Sequence, residues 1–246
     1  MDINDARIEN EIAHGRYLRD IWSGTLKYWE TPAGRIRWNR RVEMLMSHIL
    51  ADMDVLEIGC GVGYFTKEIV KTKANVTAID VSPDLLEVAK SNISEPNVSL
   101  MVGNAYDLEF PDNSFDSIIG SSVLHHLDTG KALAEFFRVL KPAGTLYFTE
   151  PNMINPVVYW GMHTSLGAKV IQKSPDEMAF DRWQFQKQLL HFNYCDIKIV
   201  PFDFMFPPTP AFLIPPVKVL GDILEKTPLI KEIAGCLYIM ASKDGV

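Results

Sequence analysis

The sequence has 246 residues and a mass of 27.8 kDa, enough to bury the core of one or two domains. Hydrophobic residues make up 47% of it and charged residues 22%, which is typical of a globular protein rather than a disordered one. Lys and Arg number 24 and Asp and Glu number 31, a formal net charge of −7. This acidic balance argues against a general duplex-binding protein, which needs a basic surface.

The first fifty residues have a helical pattern. Apolar residues follow the spacing of one helix face at Val42, Leu45, Met46, Ile49 and Leu50. We therefore expect an N-terminal helical cap over residues 1–50 and an α/β domain over residues 51–246.

After residue 50, short apolar strands alternate with helical segments. The predicted strands are 55–58, 75–80, 98–102, 115–120, 145–149, 196–200 and 237–241, and a turn is predicted at 141–144. Ser82, Asp128 and Ser174 are predicted to cap the helices that follow them. The alternation predicts βαβ units and a parallel sheet. Residues 151–173 and 201–235 do not fit the alternation and indicate insertions of the kind that form lids or binding walls.

A glycine-rich turn follows the first strand, with the sequence Glu57-Ile58-Gly59-Cys60-Gly61-Val62-Gly63. Glycines allow positive φ angles and close approach of a ligand, and the next helix offers free N–H groups. Asp80 ends the second strand, where a carboxylate can accept both hydroxyls of a ribose. The spacing is GxGxG, not the GxGxxG of dinucleotide-binding folds. Glu57 would repel a pyrophosphate but suit an amine, so the predicted ligand is a nucleoside with a cationic tail.

These residues resemble the class I S-adenosylmethionine-dependent methyltransferases, in their small-molecule branch. The resemblance covers about residues 53–150 and continues more weakly to the end of the chain. It implies a doubly wound, seven-stranded, mostly parallel sheet of Rossmann-like type, ordered 3-2-1-4-5-7-6 with strand seven antiparallel. The N-terminal helices and both insertions would roof the pocket, the second as a lid. The implied cofactor is S-adenosylmethionine and the implied product S-adenosylhomocysteine.

The resemblance also implies which residues hold the cofactor. Asp80 matches the ribose-binding acid of the family, and Asn104 stands where the family usually has an acid near the adenine. Asn104 could instead form an ordinary Asx turn, and Cys60 is expected to be a small spacer, not a nucleophile. The expected cofactor-binding residues are Glu57, Gly59, Cys60, Gly61, Gly63, Asp80, Val81, Asn104, Ala105 and Ser121.

Candidate catalytic residues lie after strands four and five. His125 and His126 follow strand four, at the end where such sheets bind ligands, and imidazole is a common general base. We choose His125 as the candidate base and Glu150, at the end of strand five, as the second catalytic candidate. The alternative is that the histidines are structural and that alignment of an already activated methyl group suffices. No convincing set of ligands for a hard cation is present, so we expect no metal.

The expected function is methyl transfer to a small-molecule acceptor, with oxygen ahead of carbon or nitrogen. Residues 201–216 carry six prolines and several phenylalanines, a pattern that excludes a long helix or a central strand. As a lid they would favour a partly apolar acceptor, lipid- or sugar-linked among others; alternatively they cover the sheet edge or a dimer contact. The alternatives for function are a cofactor-binding but inactive partner protein, a nicotinamide-dependent oxidoreductase and a nucleic-acid methyltransferase.

Cysteine content and hydropathy bear on location. The three cysteines include no CxxC pair, which predicts neither a disulfide framework nor a zinc site. The first residues lack the apolar segment of a signal peptide, and no apolar run reaches the ~18 residues of a spanning helix. We expect a cytoplasmic protein without a membrane span and without a nucleic-acid partner.

Overall fold

The computed structural model contains a seven-stranded sheet. It describes residues 6–171 and 173–245, but not the side chains of 18–28. Residues 1–5, 172 and 246 of the predicted domains lie outside the described residues. The strands are β1 Asp54–Ile58, β2 Asn75–Asp80, β3 Val98–Val102, β4 Phe115–Ser121, β5 Leu140–Pro151, β6 Tyr194–Phe202 and β7 Cys236–Lys243. Their order is β3-β2-β1-β4-β5-β7-β6, and β7 runs antiparallel to both neighbours. The predicted fold class and strand order are confirmed.

The helices of the described residues lie between and before the strands. They are α1 Ala6–Glu30, α2 Pro32–Met46, α3 Tyr64–Val70, α4 Pro83–Asn92, α5 Thr129–Val139, α6 Pro156–His163, α7 Ser165–Ile171, α8 Arg182–His191 and α9 Ile214–Leu224. Short 3₁₀ turns occupy 124–126, 211–213 and 230–233. The predicted caps at Ser82 and Asp128 are present, because each side chain accepts a hydrogen bond from the first turn of its helix. No described helix combines the length and the apolar composition that crossing a membrane requires.

The hydrophobic core lies on both faces of the sheet. Successive strand residues point to opposite faces, so Ile118 joins the cluster under α5 and α8 while Ile119 joins the cluster under α2 and α3. Both side chains are fully buried. Burial on both faces is what a parallel sheet with helices on each side requires, and it leaves the ends of the strands as the place for a site.

One predicted helix start is wrong. The helix expected after Ser174 begins at Arg182 and is capped by Asp181. The backbone N–H of Ser174 does donate to Glu177 at 2.9 Å, which is half of a capping box. The Ser174 hydroxyl, however, donates to Glu11 of α1 at 3.0 Å. This tertiary contact makes 174–177 a turn beside α1 rather than the first turn of a helix.

The turn predicted at 141–144 lies inside β5. The pairing of β4 with β5 shifts register between Phe115 and Ser117, and Ala143 has a φ of 63°. A bulge of this kind lets the strand continue through residues that favour a turn. The strand is therefore longer at its start than the sequence predicts.

Candidate active site

A cavity of about 290 Å³ opens at the carboxyl ends of β1, β2 and β4. Ligands of doubly wound sheets bind at this edge. Eight predicted cofactor-binding residues line it: Gly59, Cys60, Gly61, Asp80, Val81, Asn104, Ala105 and Ser121. Helices α1 and α2 contribute to the wall as well, where the N-terminal helices were expected to form a roof. Glu57 and Gly63 do not line the cavity.

The three glycines of the turn all have a positive φ, which strains any other residue, and two of them line the cavity. Gly59 has a φ of +67°, and a Cβ there would lie 2.3 Å from Val123 Cγ2. Gly61 has a φ of +54° and no atom within 4 Å of where its Cβ would stand. Its backbone N–H donates to Asp80 Oδ2 at 2.8 Å. The turn is therefore fixed against β2 and presents open backbone to the cavity.

Asp80 keeps acceptor capacity on the cavity wall. Its two oxygens each accept one backbone N–H, from Gly61 and from Ser82, both at 2.8 Å. An ionised carboxylate offers about four lone-pair sites, so further donors can be accommodated. Burial raises the pKa of Asp80, and the hydrogen bonds from Ser82 and Gly61 oppose that rise. This arrangement suits hydroxyl groups of a ligand.

Glu57 lies beneath the glycine turn, so the expected direct contact with a cofactor amine is not supported. Its side chain is buried, and Thr66 Oγ1 donates to Glu57 Oε2 at 2.6 Å. Burial raises the pKa of Glu57 to about 7, and the nearby charge of Asp80 adds to the rise. Gly63 likewise serves packing, because a Cβ there would lie 2.4 Å from Ile93 Cδ1.

The raised pKa of Glu57 predicts an unusual pH dependence of stability. Above pH 4.5 the unfolded chain releases this proton while the folded chain retains it until about pH 7, so the free energy of unfolding falls as pH rises. At about 1.36 kcal/mol per pKa unit, the loss is about 3 kcal/mol by neutral pH. We expect the free energy of unfolding of ligand-free Glu57→Gln, measured with denaturant, to decline between pH 4.5 and 7 by about 3 kcal/mol less than that of the wild type. Equal pH profiles for variant and wild type would contradict the assignment.

Two other predicted residues, Asn104 and Ser121, have polar atoms engaged within the protein, and a third, Cys60, has a buried thiol. Asn104 Oδ1 accepts from the backbone N–H of Tyr106 at 2.9 Å, so the Asx turn that we considered as an alternative is formed. Ser121 Oγ lies 2.8 Å from Thr149 Oγ1. Burial, with the charges of Glu57 and Asp80, raises the pKa of the Cys60 thiol. The thiol therefore stays protonated, as expected of a spacer.

His125 and Glu150, the predicted catalytic pair, meet away from the cavity wall. His125 Nδ1 donates to Glu150 Oε2 at 2.6 Å, and Glu150 Oε1 accepts from the backbone N–H groups of Val123 and Leu124 at 3.0 and 2.8 Å. The side chain of Glu150 is fully buried and that of His125 is 8% exposed. Neither lines the cavity. The pair fastens the 3₁₀ turn after β4 to the end of β5.

Removal of these hydrogen bonds should lower the stability of the fold more directly than it affects activity. Glu150→Ala leaves two backbone donors and one ring nitrogen without their acceptor, and each unsatisfied buried group costs about 1–3 kcal/mol. We expect the free energy of unfolding to fall by at least about 3 kcal/mol in chemical denaturation. Thr145→Ala, which removes a surface-side hydroxyl contact on the same strand, should change it by less than about 1 kcal/mol. A stable Glu150→Ala protein that has lost only activity would restore the catalytic assignment.

His126, the neighbour of the residue that we chose, lines the cavity. Its Nδ1 lies 3.2 Å from Glu11 Oε1 and 3.3 Å from Ser174 Oγ. Burial lowers the pKa of His126, but the hydrogen bond and charge of Glu11 outweigh it, and the net pKa is raised. Glu11 comes from α1, 115 residues away. A lone glutamate in a polar helix carries no sequence signal for this role.

An aromatic group forms the wall beside the glycine turn. It consists of Trp29 and Trp38 from the N-terminal helices and Tyr64 and Phe65 from α3. Trp38 lies with its ring centroid 4.1 Å from Phe65 and 5.7 Å from Trp29. The sequence alone indicates packing for such tryptophans, since only the fold brings α2 against the turn. These residues make a large part of the cavity apolar.

The expected lid does not cover this cavity. None of the cavity's described lining residues comes from 151–173 or 201–216. The start of the proline-rich run is held against α2 instead, where Asp203 pairs with Arg37 at 2.6 Å and with Arg41 at 3.3 Å. Phe202 is buried and belongs to β6, the edge strand, so the start of the run is part of the sheet and not of a lid. Within the described chain, no cluster of His, Cys, Asp and Glu is arranged to hold a metal ion.

Comparisons with known proteins also indicate a methyltransferase. A family model described as a methyltransferase domain matches residues 56–148. A probable S-adenosylmethionine-dependent methyltransferase of Mycolicibacterium smegmatis is 36% identical over 121 residues, which are 48% of this chain and 46% of that protein. Residues 56–148 therefore form a methyltransferase domain, similar to that of S-adenosylmethionine-dependent enzymes. The predicted family and its cofactor are thereby confirmed, and the comparisons do not favour the oxidoreductase or nucleic-acid alternatives.

A second curated relative and a solved structure are also similar to this chain. The demethylmenaquinone methyltransferase of Listeria monocytogenes is 35% identical over 127 residues, 49% of this chain and 53% of that protein. A solved S-adenosylmethionine-dependent methyltransferase of Mesorhizobium loti shares the fold, with a TM-score of 0.64 and 17% identity over 84% of this chain and 97% of that one. The chain spans about half the length of the curated relatives that it matches. Its own activity and acceptor are therefore matters of proposal.

Proposed function

We propose that the protein transfers a methyl group from S-adenosylmethionine to a small-molecule acceptor. The observation that carries this proposal is the cavity in which the open face of Gly61 and the remaining lone pairs of Asp80 lie together. These residues fit a nucleoside cofactor, because they offer backbone for close approach and acceptors for hydroxyls. When bound, the cofactor supplies a methyl group already activated on a sulfonium.

Different residues of the cavity bind different parts of the cofactor. Asp80 accepts from the ribose hydroxyls, and Gly59 and Gly61 bring their backbone close to the amino-acid part. Asn104 Oδ1 is engaged by Tyr106, so its Nδ2 is the atom available to donate to the adenine. The aromatic group of Trp29, Trp38, Tyr64 and Phe65 offers ring faces to the sulfonium, since cations are attracted to such faces.

His126 is the residue that we assign to the acceptor, in place of His125. Because Glu11 accepts from Nδ1, the neutral ring presents an unprotonated Nε2 that can remove a proton from the acceptor. Glu11 fixes this tautomer and stabilises the imidazolium that forms. The bound cofactor would supply the methyl group to the deprotonated acceptor atom and leave as the neutral thioether S-adenosylhomocysteine, and alignment within the cavity would supply most of the acceleration.

The acceptor that suits the aromatic wall of the cavity is a partly apolar molecule that contains a ring. Its methylated atom is an oxygen with an acidic proton, ahead of a carbon or a nitrogen. The aromatic group beside the turn supports a planar partner, because aromatic rings favour stacked or edge-on ring contacts. The name of the Listeria relative identifies a demethylated menaquinone as that protein's acceptor. For this chain we propose the broader class of phenols and quinols.

Labelled methyl transfer tests the proposed function. Purified protein is incubated with methyl-labelled S-adenosylmethionine and separate panels of phenols, quinols, amines and bulk tRNA. Labelled phenol or quinol with stoichiometric S-adenosylhomocysteine is the expected result. Tight binding of S-adenosylhomocysteine without turnover on any panel would favour the inactive partner protein, and label confined to tRNA would favour the nucleic-acid alternative.

A further inference from the structure

The helices of the first insertion, α6 and α7, expose a run of large apolar side chains. On α6 these are Val157, Tyr159 and Trp160, exposed by 51%, 55% and 39%, and on α7 Leu166 and Val170, exposed by 63% and 65%. Single exposed apolar residues are ordinary on protein surfaces, but a contiguous set marks an interaction site. We call α6 and α7 the helical hairpin.

The way the two helices meet explains why these side chains face outward. A Cβ on Gly167 would lie 2.4 Å from the carbonyl oxygen of Trp160 and 2.8 Å from Gly161 Cα. The backbones therefore approach closely through glycines, and the large side chain that packs beside Gly161 is that of Ile171. The exposed apolar residues of the hairpin are left for a partner outside the fold.

The charge of the hairpin is opposite to that of the protein. Residues 152–175 contain no Asp or Glu, whereas the whole chain carries a net charge of −7. Lys169 is exposed on α7 between Leu166 and Val170. No described carboxylate lies within ion-pair distance of Lys169. The hairpin is thus apolar and basic together.

A second apolar stretch continues from the start of the hairpin. Asn155 Nδ2 donates to the carbonyl oxygen of Ile233 at 2.7 Å, which joins the start of α6 to the 3₁₀ turn 230–233. Leu229 beside that turn is 84% exposed, and Val219 and Ile223 on α9 are 61% and 56% exposed. The exposed apolar area therefore extends from the first insertion into the second.

The acidic residues of this second stretch are neutralised. Asp222 pairs with Lys218, Glu225 with Arg40 and Glu232 with Arg182. Lys226 and Lys231 have no described carboxylate within ion-pair distance. The surplus charge of this stretch is therefore also positive, like that of the hairpin.

We propose that the helical hairpin, with the α9 stretch beside it, docks on an anionic lipid surface. Tyrosine and tryptophan on α6, with a lysine among exposed apolar residues on α7, are the composition of elements that lie in the membrane interface. Lysines near such a surface are attracted to acidic lipids. A second copy of the same face would set lysines against lysines, which argues against self-association.

The position of the hairpin connects this surface to the cavity. The hairpin starts after Pro151 at the end of β5 and is followed by Ser174, whose hydroxyl donates to Glu11 beside His126. Docking would hold the cavity close to the bilayer, where apolar acceptors dissolve; this consequence rests on the proposed function, but the docking itself does not.

Vesicle co-sedimentation tests the docking. Wild-type protein is mixed with phosphatidylcholine vesicles, with and without phosphatidylglycerol. We expect binding that phosphatidylglycerol strengthens and salt weakens. The double variant Leu166→Ser with Val170→Ser should lose about tenfold or more in partition, since each apolar side chain contributes over 1 kcal/mol on burial. Lys169→Glu should lose about fivefold or more on anionic vesicles.

Leu190→Ser is the matched control. Leu190 is 56% exposed on α8, outside this face, so the control should partition like wild type. Absence of wild-type binding to both vesicles, or equal loss in the control, would overturn the docking. Light scattering that shows a dimer abolished by the double variant would assign the face to self-association and also overturn it. Calorimetric binding of S-adenosylhomocysteine, measured on every variant and unchanged, shows that each variant is folded and keeps this test separate from that of methyl transfer.

Discussion

His126→Ala is expected to lower turnover by roughly 10²–10⁴-fold, the range for loss of a positioned general base. His126 lines the cavity, and its Nδ1 is held by Glu11 at 3.2 Å, which leaves Nε2 for the acceptor. Affinity for S-adenosylhomocysteine should change by less than about threefold, because this role concerns the acceptor. Steady-state kinetics and calorimetry on the same preparations give both quantities.

His191→Ala serves as the matched control for this prediction. His191 is exposed at the end of α8, away from the cavity, so its loss should leave turnover unchanged. Near-normal turnover in His126→Ala would leave alignment alone as the source of catalysis. A loss of cofactor affinity as large as the loss of turnover would move His126 into the cofactor site.

The pH profile separates Glu11 from a merely structural residue. In the wild type, turnover should rise with pH as His126 loses its proton, with an inflection above the ordinary histidine value of about 6.5 because its pKa is raised. Glu11→Gln removes the largest of the charges that raise this pKa, keeps the smaller effects of Glu177 and Glu150, and leaves the burial that lowers it. The inflection should therefore move to lower pH while turnover falls. An inflection at the wild-type position would contradict the coupling.

Asp80→Ala is expected to weaken binding of S-adenosylmethionine by about 10- to 100-fold. Hydrogen bonds to a charged group contribute about 1.5–3 kcal/mol, and each 1.4 kcal/mol is a factor of ten in affinity. Asp80 also accepts from Gly61 and Ser82, so the variant loosens the turn as well. Asp80→Asn retains one acceptor oxygen and should show an intermediate loss in titration calorimetry.

Asp84→Ala controls for the removal of a carboxylate near the same helix start. Asp84 lies in the first turn of α4 and pairs with the exposed Arg16, and it does not line the cavity. Its removal should change affinity by less than about twofold, as for an exposed ion pair. Equal effects of the two alanine variants would show that Asp80 acts through net charge, not through the ribose.

The parts of the site that the sequence predicts are those whose residues lie close together along the chain. The glycine turn needs positive φ at fixed positions, and Asp80 follows from a strand of clear apolar pattern, so both could be placed before the fold was known. Strand order could not be derived from composition or periodicity and came from the family resemblance. The family resemblance carries no information on side chains that are far apart in the sequence but meet in the fold.

The remaining features depend on tertiary contacts. Glu11 reaches His126 only because α1 lies across the ends of the strands, and Trp38 becomes a wall residue only because α2 packs on α3. The choice between His125 and His126 turns on a single 3₁₀ turn, which directs one ring to Glu150 and the other to the cavity. Adjacent identical residues give sequence analysis no means to distinguish them.

Titration calorimetry of the wild-type protein with S-adenosylmethionine and, separately, with NAD tests the central claim most directly. The claim is that the cavity of Gly59, Gly61 and Asp80 holds the nucleoside of the methyl donor. We expect saturable one-to-one binding of S-adenosylmethionine, competed by S-adenosylhomocysteine, and no heat with NAD. Binding of NAD, or no heat with S-adenosylmethionine in a protein that unfolds cooperatively, would contradict it.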